Sequence, residues 1–312
     1  EVLLPEEHVI YDIHGNEAKI CSDVVTATRE AIRKPVASKP LREVVHAGET
    51  VAIIISDITR LCGTSEILPV IVEELNSIGV KDEEITVVVA TGTHRGHTHE
   101  EDITVCGEAM VKRLKIVQHD SRKSEDMVSL GKTSFGNDVA INKYVANADR
   151  VILTGAVTLH PFAGFGGGRK AVMPGVAAYD SIMLNHCMTM SPVEGGGCNA
   201  ACDASLLEGN PIHQDMKEAA ALLNPDFLVN TVFTSDGEIS EIVAGHWYEA
   251  WLKGCQDLLA MSGVHIKELA DVVIASAGGY PKDLNLYQAT KCHMNAQFAV
   301  KKGGIMIFTL DC

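Results

Sequence analysis

Four apolar runs in this sequence each end on residues that can do chemistry. Val51–Ile55 is followed by Asp57, Thr59 and Arg60, and Ile85–Ala90 by Thr91, Gly92, Thr93, His94 and Arg95. Leu114–Val117 leads to His119 and Asp120, and Val151–Leu153 to Gly155 and then His160. In a parallel α/β sheet, ligands sit at the carboxyl ends of the strands, so these positions are where a site is expected. Four strand ends in one sheet each offer a titratable or hydrogen-bonding group, which is hard to explain as packing. Any one of these histidines is equally well read as a packing residue. Together they point to an active-site cleft. A second concentration is Ala163–Gly175, AGFGGGRKAVMPG. Successive glycines let backbone N–H groups converge on an anion, and Lys170 adds a flexible cation or a nucleophilic amine. A simple tight turn is the competing reading. The run is not a P-loop, because Arg169 separates the last glycine from Lys170 and Ala171 follows where a hydroxyl is required.

Metal sites are less well supported by spacing. His94, His97 and His99 resemble a cluster, but Thr98 with Glu101 forms a capping box, which places His97 and His99 at the exposed start of a helix. Cys198 and Cys202 form a C-x-x-x-C pair that no second pair completes. The nine cysteines have no disulfide framework, and a reduced, cytoplasmic setting is expected. His186, after Asn185 on an expected helix, could be a core residue or a ligand. The formal charge of −15, from 26 basic and 41 acidic side chains, argues against nucleic acid as the main partner. No stretch is apolar for the roughly 18 residues that a membrane span requires.

The elements that must position these groups are legible in outline. The four runs, with Phe227–Val232, Val272–Ala275 and Ile305–Leu310, read as buried strands. Between them Thr64–Ile78 carries apolar residues at helical spacing and closes on Gly79. That alternation predicts an α/β fold with a parallel sheet. Gly131–Asn142 has the turn residues of a hairpin, expected at a sheet edge. A new unit begins near Ser262–Lys267. Residues 1–265 are therefore read as an N-terminal α/β catalytic domain, and 266–312 as the start of a second α/β domain, incomplete at its C-terminus.

The motifs DITR (Asp57–Arg60), ATGTHR (Ala90–Arg95), HD (His119-Asp120), the block from His160 through AGFGGGRKAVMPG to Asn185-His186, and YQATK (Tyr287–Lys291) resemble the nickel-dependent lactate racemase family. The resemblance covers nearly the whole chain. Its most specific part is the long block, which fixes the spacings of His160, Lys170 and His186. There are two departures: Gly166 stands where the family often has serine, and Leu61-Cys62-Gly63 replaces a proline-containing continuation.

The resemblance implies two parallel-sheet, Rossmann-like domains with the site in the interdomain cleft. It also implies a nickel-pincer nucleotide, a pyridinium thioamide/thiocarboxylate mononucleotide. Lys170 would carry it covalently and His186 would ligate nickel. His94 and His160 would be the acid/base pair. Asp57, Ile58, Thr59 and Arg60 would line the cofactor, with Arg60 also near the substrate. Gln288 and Lys291 would grip the substrate carboxylate beside Tyr287. The implied activity is racemisation or epimerisation of a 2-hydroxy acid by proton-coupled hydride transfer, with cofactor-biosynthesis proteins as partners. The rival readings are a metal-dependent hydrolase built on His94, His119 and His160, and a non-catalytic nucleotide- or cofactor-binding protein.

Overall fold

β-branched residues favour the extended backbone, and a continuous run of them must be covered on both faces. Val51–Ser56 (VAIIIS) meets both conditions. Ala52 and Ile54 enter one core, with Ile182, Ile212, Met216 and Trp251, while Val51, Ile53 and Ile55 enter another, with Ile67, Leu68, Ile71 and Leu75. The two-residue period of the strand thus divides one segment between two hydrophobic layers. A computed structural model describes residues 5–16, 18–234, 237–279, 283 and 285–312, without the side chains of Tyr287 and Gln288.

In chain order the strands are β1 (Val51–Ser56), β2 (Ile85–Ala90), β3 (Lys115–Gln118), β4 (Met127–Lys132), β5 (Asp138–Asn142) and β6 (Arg150–Val157). They continue with β7 (Leu159–His160), β8 (Gly164–Phe165), β9 (Phe227–Phe233), β10 (Ile239–Gly245), β11 (Ala270–Ser276) and β12 (Val300–Thr309). The main sheet has the order β10-β9-β6-β1-β2-β3. All of its pairs are parallel except β9–β10. The antiparallel edge strand β10 follows β9 closely in sequence, and Thr234 N–H donates to Glu238 O at 2.8 Å. The order places β6 and β1 at the centre, with chain crossovers to either side, and ligand sites form at such a switch point.

The helix expected over Thr64–Ile78 runs from Thr64 to Ser77. Thr98 caps the His99–Cys106 helix, and its capping box with Glu101 is complete. The expected edge hairpin is instead a separate two-stranded ribbon of β4 and β5, with Ile141 of β5 also bridged to Ala177. The chain divides into a larger unit, Ala18–Met261, and a smaller one, Glu1–Glu17 with Ser262–Cys312. In the smaller unit β11 and β12 pair in parallel, and the Leu286–Ala296 helix lies between them in sequence. Among the described residues no helix is long and apolar enough to cross a membrane.

Candidate active site

At the carboxyl ends of β1, β2 and β6 the larger unit encloses a cavity of about 480 Å³. Its walls include Asp57, Arg60, Thr91, His94, Thr158, His160, Lys170 and His186. Of the DITR residues, Asp57 and Arg60 line the cavity. Ile58 packs toward the second core and Thr59 turns its hydroxyl to Asp57 Oδ1 at 2.6 Å.

One wall is an acid–imidazole pair. The Asp57 carboxylate is buried, and His94 Nδ1 lies 2.5 Å from its Oδ2. A carboxylate accepts and does not donate, so Nδ1 carries the proton and the Nε2 lone pair is left available as a base. The His94 side chain remains 46% exposed, open to a ligand. Thr59 N–H, at 3.1 Å, also donates to Asp57 Oδ1, and Arg60 lies 3.8 Å from it.

The opposite pattern holds at His160. Its Nδ1 accepts from Phe162 N–H at 3.2 Å and from Ala163 N–H at 3.1 Å, so the neutral ring carries its proton on Nε2. Burial, with Lys170, Arg169 and Arg60 nearby, pushes its pKa down to about 2. His160 is therefore a neutral hydrogen-bond donor in this pose. Lys170 follows on a short 3-10 turn, and burial beside Arg169 and Arg60 holds its amine well below the usual lysine range. A neutral amine is a nucleophile.

Behind Lys170 stands Arg169, fully buried, donating to Ala163 O at 2.7 Å, Phe165 O at 2.9 Å and His213 Nδ1 at 3.0 Å. Its guanidinium lies 4.0 Å from the Trp251 ring. No ion pair joins Arg169 to a carboxylate among the described residues, and its charge is spread over carbonyls and aromatic faces.

His186 sits on the Tyr179–Cys187 helix, with Nδ1 3.0 Å from Ile182 O. That carbonyl can only accept, so Nδ1–H donates and the Nε2 lone pair is left for a metal. Metal-ligating histidines are commonly held this way. Partial enclosure and the neighbouring Lys170 lower its pKa, which favours the neutral form a ligand needs.

Several expectations change. His119 lies outside the cavity, buried, with Nε2–H donating to Ala177 O at 2.9 Å and Nδ1 accepting from Asn142 at 3.3 Å. Both nitrogens are taken, so the His94–His119–His160 hydrolase set does not assemble. The described residues hold no group of three His, Cys, Asp or Glu placed to bind a metal. His97 is not at an exposed helix start, since its side chain is 1% exposed.

Two N–H groups of the glycine run are already bonded within the protein. Gly166 N–H donates to Thr158 O and Gly168 N–H to Asn230 Oδ1. A Cβ on Gly168, at φ +54°, would lie 2.5 Å from Trp251 Cγ, so close packing is what requires glycine there. A Cβ on Gly166 would meet Thr158 Oγ1 at 2.5 Å, so a serine there requires this exposed threonine side chain to turn away. Lys291 is exposed on the Leu286–Ala296 helix, and the side chains of Tyr287 and Gln288 lie outside the described residues. Sequence reasoning passed over the burial of Arg169. A cation whose partners are carbonyls and rings leaves no carboxylate signal to find.

Residues 1–197 match the sequence profile of the lactate racemase N-terminal domain, and residues 266–312 that of the lactate racemase C-terminal domain. The chain is 35% identical over 311 residues to a lactate racemase of Thermoanaerobacterium thermosaccharolyticum, covering 99% of this chain and 71% of that protein. It is 37% identical over 280 residues to a lactate racemase of Lactiplantibacillus plantarum, covering 89% of this chain and 64% of that one. Its fold superposes on the lactate racemase apoprotein of Thermoanaerobacterium thermosaccharolyticum with a TM-score of 0.87 and 34% identity, covering 100% of this chain and 72% of that one. A crystal structure of a Thermotoga maritima protein shares the fold alone, with a TM-score of 0.61 and 17% identity over 83% of this chain and 65% of its own. Domain profiles at both ends and two relatives at 35% and 37% identity lead to one conclusion: the chain belongs to the lactate racemase family.

Proposed function

We propose that this protein interconverts the enantiomers or epimers of a lactate-like 2-hydroxy acid with the help of a nickel-pincer nucleotide. The observation that carries the reading is one cavity holding two imidazoles in opposite states, His94 with a free Nε2 lone pair and His160 with an Nε2–H. Two relatives named lactate racemases support the reaction class.

The residues present fit the cofactor. Lys170 offers a depressed-pKa amine for a covalent link, and His186 offers an outward imidazole lone pair for nickel. When bound, the group would supply the electron sink for the α-hydrogen. His94, aligned by Asp57, removes the hydroxyl proton at Nε2. His160 Nε2–H holds the substrate oxygen from its own wall. For His160 to act as base toward the other enantiomer, its proton must move to Nδ1, at the cost of the contacts to Phe162 and Ala163. Arg60 stands at the cavity wall for the carboxylate. On the family resemblance, Tyr287, Gln288 and Lys291 serve the same anion. The reading carries with it a cytoplasmic setting and dependence on cofactor-assembling proteins.

The test is protein made in a nickel-supplied host that assembles the cofactor, with loading measured by intact mass and metal content. Loaded protein should convert D-lactate or a close 2-hydroxy acid into a mixture of enantiomers on chiral chromatography. Loading without any interconversion across short 2-hydroxy acids would overturn the proposal.

A further inference from the structure

The turn that carries Asp57 must itself be held, since Thr59 and Arg60 beside it are exposed. We propose that His97 is a positioning residue, whose imidazole fixes the backbone at Ile58 and so aims Asp57 at His94. The inference rests on the acid/base reading of His94 given above.

His97 Nδ1 lies 3.0 Å from Asp102 Oδ1, and Nε2 lies 2.8 Å from Ile58 N. The carboxylate can only accept and the peptide N–H can only donate. A single neutral tautomer, with the proton on Nδ1, satisfies both. Asp102 is held in turn by Gln118 Nε2, at 2.9 and 3.2 Å from its two oxygens. Gln118 Oε1 accepts the His97 N–H at 3.0 Å, which closes the ring of contacts. The brace joins the turn after β1, the loop after β2 and the last residue of β3. The peptide it holds is the one directly following Asp57, whose carboxylate faces His94.

The same contacts decide against a ligand role for His97, because neither nitrogen is free. They also separate it from simple packing. An apolar side chain could fill the space but would leave the Ile58 N–H without its partner, and an unmade buried hydrogen bond is costly.

Two substitutions separate these roles. Glutamine places its carbonyl near the Nε2 position and can still accept from Ile58, whereas asparagine reaches only the Nδ1 side. In the apoprotein, residue-resolved amide exchange should show Ile58 exchanging at least about tenfold faster in His97→Asn than in wild type. His97→Gln should restore the protection, with Ile54 in the centre of β1 unchanged in both. In the loaded enzyme, His97→Asn should lower kcat by on the order of 10- to 100-fold with little change in KM, because misplacement of a reacting group costs rate before binding. His97→Gln should recover most of that loss. Nitrogen NMR of ¹⁵N-histidine-labelled wild-type apoprotein should show the Nδ1–H tautomer at His97, and this needs no variant to fold. An Nε2–H tautomer, unchanged Ile58 exchange in His97→Asn, or equal kcat in the two variants would overturn the proposal. Absence of racemisation in loaded wild-type protein would overturn the function proposed above, and the tautomer and exchange measurements would still decide on His97.

Discussion

The two walls of the cavity hold the same side chain to opposite ends. At His94 a buried carboxylate occupies Nδ1 and frees a lone pair, while at His160 two backbone N–H groups occupy Nδ1 and leave a proton pointing outward. The acidic wall has one anion facing one half-exposed ring. The basic wall has His160 among Arg169, Lys170 and Arg60 and suppresses its protonation. The lesson is that residue type does not assign acid or base; the partner on the far nitrogen does. A donor on that nitrogen makes a donor of the ring's other end, and an acceptor makes an acceptor.

The largest expected effect is on the basic wall. Lys170→Ala should abolish the covalent mass increment and lower racemisation by at least about 10⁴-fold, since the reaction loses its electron sink. An unchanged adduct on intact mass spectrometry would remove Lys170 from its role. On the acidic wall, Asp57→Asn should lower kcat per loaded enzyme by about 10³- to 10⁴-fold by reversing the His94 tautomer. Activity within tenfold of wild type would break the reading of His94 as the carboxylate-aligned base. The contrast itself is tested by paired glutamine substitutions. An amide can replace a neutral donor but not a base, so His160→Gln should cost only about 10- to 100-fold and His94→Gln up to about 10⁴-fold. Equal losses in kcat would show that the walls are not differentiated.

The smallest effect concerns stability and extends the comparison to histidines with no cavity role. Burial lowers the pKa of His119 to about 4 and of His213 to about 3, whereas an unfolded histidine titrates near about 6.5. The unfolded chain therefore binds protons first on acidification. The contribution of the neutral rings is complete above about pH 6.5 and is lost toward the folded pKa values, at up to about 1.4 kcal/mol per histidine per pH unit. Thermal unfolding followed from pH 7.5 to 4.5 should show this decline, and His119→Gln, which keeps a donor for Ala177 O, should make it shallower. An identical slope in the variant would mean that His119 is not a source of the acid lability.

Much of the frame could be read in advance, for a physical reason. β1, β2, β6 and β9 are buried on both faces, so they carry mostly apolar runs rich in β-branched residues, and the Thr64–Ser77 helix ends against Gly79 as its pattern suggests. The strand β10 escaped because it is an edge, where Ser240 and Glu241 interrupt the apolar pattern. Within the site, the strand-end rule found His94, His119 and His160 alike, yet only two of them face the cavity. Position in sequence gives the end of a strand but not the direction of the ring beyond it. That direction depends on partners distant in the chain, such as Ala177 for His119. The glycine run was ambiguous for a similar reason: glycine is needed equally for an anion nest and for contact with Trp251.

The isolation of Arg169 has a kinetic consequence. This chain carries a formal charge of −15 and repels anions at long range, while the guanidinium deep behind the cavity has no carboxylate among the described residues to cancel it. An incoming carboxylate thus meets a repulsive outer field before a local attractive one. Mobile ions screen the first over a Debye length of about 8 Å at physiological ionic strength, but they do not reach a charge sealed beneath Trp251. Added salt should therefore speed the capture of a small anion without weakening its retention, the reverse of what is usual for a protein that draws in its ligand with surface charge.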